Sequence, residues 1–443
     1  MSLRRPVWAL YALIVGLALH NFVMAMLWRA GVRGSALTVV AAWKDVLLVA
    51  ALAAVVIARR ALPFSRSSVA DWLALAFGAL VVLYGVLPQS WLGGGATHKG
   101  VLYGARHDLL PVGAYFLGRG LALTSDERNR LCRAVLAVAA GVAVVGLLDV
   151  YLVPLSFWRH ASGWFSDQLG LDSPGLSGLP GNFVYNAGNG VVFRRLTSTF
   201  LSPLATSYLL VVAIFFIPFR RRFGPPLALL LFAALLWTHT RSALLALVVG
   251  LLVLAAARRR VLPLALACAV AALGFGFVKG YDHFGPRTHF TAAELKIQEQ
   301  IAKQHPNASN DATSASESST SEHLASLRAG VRTVVHHPWG YGLGNAGVTA
   351  TRTHVDVKAG ESTYTELGVE AGLLGALVFV AWSLAILRGL LRGRAWLGAA
   401  FAAVLLLGLQ TDVIGVPWIA VAVWALAAVP GLRVGAEPEP APA

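Results

Sequence analysis

Charge is scarce in this chain. Only 13% of its 443 residues are Asp, Glu, Lys or Arg, about half the share usual in a soluble domain. That excludes an ordinary water-soluble globule. Cysteine is nearly absent: Cys132 and Cys268 are the only two, which excludes a disulfide framework and a cysteine zinc site. Acidic residues number 21 against 36 Lys and Arg, and none of them fall into metal-ligand spacing. No metal and no cofactor are therefore expected.

What is present is apolar. Hydrophobic residues make up 57% of the chain, and the mean hydropathy is +0.67. Repeated apolar runs near the length of a bilayer crossing predict an all-α, polytopic integral membrane protein. Twelve segments can be drawn, at 7–27, 36–57, 69–87, 101–121, 131–153, 196–217, 227–237, 243–257, 261–278, 363–387, 395–409 and 413–429. The first follows Arg4 and Arg5 but is long and lacks a clear cleavage site, so it reads as a span rather than a signal peptide.

Twelve crossings put both termini on one side. The arginine clusters at Arg59/Arg60/Arg66, Arg128/Arg130/Arg133, Arg220/Arg221/Arg222, Arg258/Arg259/Arg260 and Arg388/Arg392/Arg394 then share that side with Arg4 and Arg5. Positive charge marks the cytoplasmic face, so both ends are placed in the cytoplasm. The net charge of +15 is largely this orientation signal, and no nucleic-acid partner is expected.

A single membrane-embedded domain spans 1–443, with two large outer loops and a disordered cytoplasmic tail at 431–443. The first loop covers 154–193. The second, 279–362, lies between the ninth and tenth spans. Within it, 292–303 is predicted as a short polar helix, 304–322 as a mobile low-complexity stretch and 324–336 as an amphipathic helix. The segment 336–375 leads from this loop through Gly340, Gly342, Gly344 and Gly347 into the tenth span. It reads as a lid and as part of the floor of an outward-facing site.

Polar residues that a membrane tolerates poorly gather in the outer half: His20, Lys44, Asp45, Asp149, Arg194, Arg195, His239, Arg241 and Asp412. A proton pathway distributes such groups through the span, whereas one-sided clustering suggests a cavity open to the outside. Arg195 and Arg241 lie on the side that the orientation rule leaves poor in arginine. They either snorkel at the interface or bind an anionic group with their guanidinium forks. Lys44 and Asp45 fit a structural polar pair as well as a substrate contact.

At these positions the chain resembles the O-antigen ligase and O-antigen polymerase superfamily of bacterial membrane glycosyltransferases. Arg195-Leu196-Thr197-Ser198-Thr199-Phe200, followed by Ser202-Pro203, is similar to the family's R-L-T-G-T-F-x-N-P. Thr240-Arg241-Ser242-Ala243 resembles its T-x-S-R-G/S-A turn. His337-Pro338 with Gly340, Gly342 and Gly344 resembles H-P-x-x-G-x-G-x-G, and Glu370-Ala371-Gly372-Leu373-Leu374-Gly375 matches E-x-G-x-x-G. The ligases carry a histidine nine residues before that glutamate. Here the count reaches Glu361, followed by Ser362, which resembles the polymerase pattern better.

The resemblance implies an enzyme that uses a glycan linked to undecaprenyl diphosphate and forms glycosidic bonds at the periplasmic face of the inner membrane. The acceptor is a lipid-linked repeat unit in a polymerase and lipid A-core in a ligase. Membrane lipids, and a chain-length regulator, are further implied partners. Arg195 and Arg241 are the expected diphosphate ligands, and Glu361 the group that takes or orients the acceptor proton. Arg194, Lys44, Asp45, Ser362, His337 and His354 are expected around the substrate. Glu361 also fits an acid at a helix N-terminus, and Ser362 a helix cap. His336, His337 and His354 are the histidines available in place of the family's own. A transporter for the same lipid-linked glycan is the reading of another class; against it, no inverted repeat or paired broken helices are evident.

Overall fold

The computed structural model describes residues 6–171, 176–187, 191–218, 221–304 and 318–432. The chain is mostly helical. The first half contains α1 (Val7–Arg29), α2 (Gly34–Ala41), α3 (Trp43–Arg59), α4 (Val69–Val86), α5 (Gln89–Leu92), α6 (His98–Gly120), α7 (Ser125–Leu152), α8 (Leu155–Arg159) and α9 (Ser162–Leu169). The second half adds α10 (Pro203–Ile214), α11 (Gly224–Trp237), α12 (Arg241–Arg258), α13 (Val261–Phe284), α14 (Ala292–Gln304) and α15 (Ser318–His336). It closes with α16 (Gly347–Arg352), α17 (Thr363–Glu370), α18 (Gly372–Gly393), α19 (Ala395–Leu407) and α20 (Trp424–Ala428).

Each expected apolar segment falls on one of these helices or on a pair of them. Among the described residues, seven helical stretches are long and apolar enough to cross a membrane, with α2 and α3 counted as one. The shorter apolar helices are α10, α11, α19 and the stretch Ile419–Ala428. Two expected spans are broken. The second is interrupted at Ala42, and the tenth at Ala371, where Gly372 takes φ +71°. The last begins with a π-helical turn over Ile419–Val423.

Local sequence explains several helix starts. Thr124 and Glu127 form a reciprocal capping box that opens α7. Ser202 caps α10, with Pro203 at the first helical position where its missing N–H costs nothing. In the core, α12 packs on α13 and α19, α6 lies against α3, α4 and α20, and α18 against α4. Trp382, Trp418 and Trp424 are fully buried there.

The two large loops carry the expected polar helix as α14 and the amphipathic one as α15. Residues 305–317 of the low-complexity stretch and 433–443 of the tail lie outside the described residues. The loops also add a small sheet that the all-α expectation lacked. Its order is β1-β2-β3, with β1 (Val184–Asn186), β2 (Val192–Arg194) and β3 (Arg287–Thr288). Both pairings are antiparallel, with Val184 opposite Arg194 and Phe193 opposite Arg287. The two large loops are thereby hydrogen-bonded to each other beside the arginine-bearing strand.

Candidate active site

The site is built from the end of β2 and the hairpin between α11 and α12. Leu196 N–H donates to Trp237 O at 2.9 Å, which lays the chain after β2 alongside that hairpin. Arg195 then reaches across it: Nε donates to Thr238 O at 2.9 Å and Nη2 to Thr240 Oγ1 at 3.1 Å. Arg241 opens α12 one residue later. The charges of Arg195 and Arg241 both bear on His239, which lies between Thr238 and Thr240. The two arginines expected to act together are therefore at one place, and both are partly exposed.

His239 explains how two guanidiniums are kept together. Its φ is +49°, a left-handed conformation that turns the chain sharply between the helices. The ring stacks on Tyr281 at 4.5 Å between centroids and tilts against Tyr185, also at 4.5 Å. Burial first, then the charges of Arg195 and Arg241, push the imidazole down to about 3, so it is neutral. A neutral plate wedged between tyrosines adds no third positive charge.

Arg194 is committed elsewhere. Its guanidinium is buried, with Nη2 at 3.1 Å from Asp149 Oδ2 and Nη1 donating to Val153 O at 2.7 Å. Trp158 Nε1 donates to the other oxygen of Asp149 at 2.8 Å. Neighbouring residues on a strand point to opposite faces, so Arg194 braces the loop while Arg195 turns to the hairpin.

A second pole lies where α6 meets α17 and the hairpin after α19. His107 Nδ1 is 2.8 Å from Asp108 Oδ1, and Nε2 is 2.7 Å from Asp412 Oδ2. Thr363 Oγ1 lies 3.2 Å from the other oxygen of Asp412 and accepts Val413 N–H at 2.9 Å. Glu370 Oε1 accepts the Gly344 N–H at 2.8 Å. Asp108, Glu366 and Glu370 are buried. His107, Asp108 and Glu370 each offer a ligand atom within 4.8 Å of the others, although the Asp108 carboxylate already occupies the Nδ1 side of the imidazole. Tyr208, buried between the poles, lies within electrostatic reach of both Arg195 and Asp412.

Glu361 sits just outside this second pole. Its φ is +69°, and its carboxylate is half exposed. Oε2 lies 2.7 Å from His323 Nδ1 on α15. The hydrogen bond from His323 holds the Glu361 carboxyl below its usual range, against the opposing effect of partial burial. Ser362 does not cap α17 with its side chain. Its hydroxyl donates instead to Gly408 O at 3.0 Å, tying the helix start to the end of α19.

The remaining expected residues are dispersed. His337 is held by Leu92 O at 2.9 Å and stacks on Tyr341 at 4.0 Å, a packed position behind the glycine turn. His354 is exposed after α16, with φ +55°. Lys44 is buried on α3, where Nζ donates to Ala41 O at 2.9 Å and meets His20 Nε2 at 2.9 Å. Asp45 pairs with Arg106 at 2.8 Å.

No curated protein matches this chain. Residues 226–380 match the family model described as O-Antigen ligase. That segment is similar to the O-antigen ligase family. It holds Arg241, Glu361, Ser362, Glu366 and Glu370. Arg195, His107 and Asp412 lie outside it in sequence and are brought against it by the fold.

His107 and Asp108 escaped the sequence reading, although a signal existed. Two ionisable residues in the middle of an apolar run are costly unless partnered, and that cost alone nominates them. Glu366 carried the same signal, four residues before Glu370 and thus on the same helix face.

Proposed function

We propose that this protein is a polymerase of the O-antigen ligase and polymerase superfamily. It joins glycan repeat units carried on undecaprenyl diphosphate at the periplasmic face of the inner membrane. The observation that carries this reading is that Arg195 and Arg241 meet at one hairpin, with both charges bearing on His239. Two guanidiniums at one partly open place suit a diphosphate, whose charge grows as it leaves.

In the proposed step, an acceptor hydroxyl oxygen bonds to the anomeric carbon of the donor. The bond from that carbon to the diphosphate oxygen breaks, and undecaprenyl diphosphate departs with the electron pair. The proton passes to the Glu361–His323 pair. Glu361 Oε2 lies against His323 Nδ1, and its carboxylate stabilises the imidazolium that forms. Glycosyl transfer of this type balances without oxidant or reductant, and we assign the charge stabilisation to arginine rather than to a metal. Both chain termini are cytoplasmic in this scheme.

One observation favours ligation instead. The histidine that ligases carry at the position of Glu361 is replaced here by a carboxylate that itself holds a histidine, His323. The assay that separates the two uses purified protein in nanodiscs with lipid-linked repeat units, with and without lipid A-core. Longer lipid-linked chains support the polymerase, and glycan on lipid A-core supports the ligase. Translocation without bond formation would leave only a transporter. Within that assay Arg195→Lys and Arg241→Lys each lower turnover by about a hundredfold, because lysine lacks the planar fork. Wild-type turnover in either variant, at equal protein level, removes that arginine from the site.

A further inference from the structure

A group of cations on α3, α6 and α16 has no role in the step above. Lys44 lies at the start of α3, Arg106 in the outer half of α6 and Arg352 at the end of α16. The charges of Arg106 and Arg352 both bear on Lys44, and that of Arg106 bears on Arg352. Among the described residues, Asp45 is the one carboxylate paired with any of the three, through Arg106 Nε at 2.8 Å. Two guanidiniums and the Lys44 amine face one carboxylate, which leaves surplus positive charge in a partly enclosed place.

Their hydrogen-bonding capacity is unspent. A guanidinium has five N–H donors. Arg106 commits its Nε to Asp45 and is one-third exposed. Arg352 makes no hydrogen bond or ion pair among the described residues; it faces the Tyr103 ring at 5.3 Å from the centroid. Lys99 approaches the same ring at 5.6 Å. Burial and the like charge of Arg106 hold the Arg352 guanidinium below the usual arginine range, with Tyr103 opposing. Lys44 Nζ donates to Ala41 O and lies 2.9 Å from His20 Nε2, whose other ring nitrogen accepts Trp43 Nε1–H.

The mounting is rigid. Gly170, at φ +65°, lies so close to the backbone of Arg352 that an added Cβ would stand 2.9 Å from its Cα. The start of α6 supports α16 from the other side, where an added Cβ on Gly100 would stand 3.2 Å from Thr353 Oγ1. Long charged side chains without acceptors are usually free in solvent. Arg352 is instead held over the Tyr103 ring.

We infer that Lys44, Arg106 and Arg352 form a second oxyanion site, distinct from the Arg195–Arg241 pair, that takes a phosphate group. Two planar forks beside the Lys44 amine present donors to several oxygens at once, which suits phosphate better than a single carboxylate. The phosphate comes either from a second lipid-diphosphate substrate, the acceptor of a polymerase, or from a membrane phospholipid headgroup. The first source rests on the polymerase reading; the site itself does not.

The test is equilibrium dialysis of the full-length protein in phosphatidylcholine nanodiscs against radiolabelled pyrophosphate. Wild type binds two equivalents. Arg352→Gln and Arg106→Gln each weaken one of them by about tenfold or more, while Arg195→Gln removes only the other. Arg352→Lys restores part of the loss, which a fold defect would not permit. Unchanged binding in both Arg352→Gln and Arg106→Gln overturns the site, whatever happens at Arg195. A single equivalent in wild type, weakened by Arg352→Gln and untouched by Arg195→Gln, overturns the diphosphate role of the hairpin and leaves this site standing. Competition by added phosphatidylglycerol assigns the phosphate to a lipid headgroup; resistance to it assigns the phosphate to substrate.

Discussion

His107 and Asp412, 305 positions apart in sequence, meet at 2.7 Å. The contact joins α6 in the first half of the chain to the hairpin between α19 and the last helix. Asp412 also faces Thr363 at the start of α17. Three elements thus depend on one carboxylate. Their side chains are mostly hidden, with His107 17% and Asp412 15% exposed.

Neutralising Asp412 removes one of the two carboxylates that hold the His107 ring, the other being Asp108. Asp412→Asn therefore costs about 1–3 kcal/mol of stability, more than a surface pair contributes. Thermal unfolding in detergent reads the loss. A change within about 1 kcal/mol would mean that water enters the pair and that the contact is ornamental.

Glu361 and His323 act as a unit if they take the acceptor proton. Glu361→Gln keeps the shape but cannot stabilise an imidazolium, so kcat falls about a hundredfold while donor binding persists. His323→Ala has a loss of similar size, and the double variant is little worse than either. If Glu361 only stabilises the start of α17, Glu361→Gln costs about 1 kcal/mol or less and turnover is unchanged. Turnover at saturating donor separates these outcomes.

Glu294 gives the outer face a pH limit. Its carboxylate, 1% exposed, is 2.8 Å from Arg159 Nη2 and accepts from Ser177 Oγ at 2.8 Å and Thr291 N–H at 2.6 Å. Burial acts to raise its pKa, but these donors outweigh it and hold the group below the ordinary carboxylate range. A lowered pKa in the folded chain contributes stability above the unfolded value and loses it as pH falls through the folded one. Protection of α14 from proteolysis is thus full near neutrality and declines in acid below the ordinary glutamate range. Glu294→Gln shows the loss at neutral pH, and a pH-independent digestion rate in wild type would remove the clamp.

Orientation is testable on exposed positions. In a chain with Cys132 and Cys268 replaced, Asp356→Cys reacts with a membrane-impermeant maleimide in outer-membrane-permeabilised cells. Arg259→Cys reacts only after lysis. The reverse pattern would turn the protein over and put the arginine pair in the cytoplasm.

Much of this was legible. Arg195 and Arg241 were nominated because positive charge is out of place on that side, and the fold brings them to one hairpin. The apolar runs marked the helices but not their interruptions. Hydropathy reads 363–387 as continuous because Ala371 and Gly372 are compatible with a span, yet Gly372 breaks it with φ +71°. The sheet was invisible because its strands are two or three residues long, too short for an alternating pattern. His323 was hidden for another reason. Its partner lies 38 positions away, and no local spacing reveals a contact made by docking α15 on α17.

The glycine turn has a consequence for the dimensions of the site. An added Cβ on Gly344 would stand 2.5 Å from the Gly100 carbonyl carbon, and one on Gly104 would stand 2.7 Å from Gly344 N. Here α6 and the turn touch backbone to backbone, and the same Gly344 N–H holds Glu370. The gap between the helix that carries His107 and the helix that carries Glu370 is therefore one polypeptide thick. Side chains can vary around it without changing that width, whereas a single methyl group at Gly344 would widen it. Within this enclosure the gauge is set by the main chain.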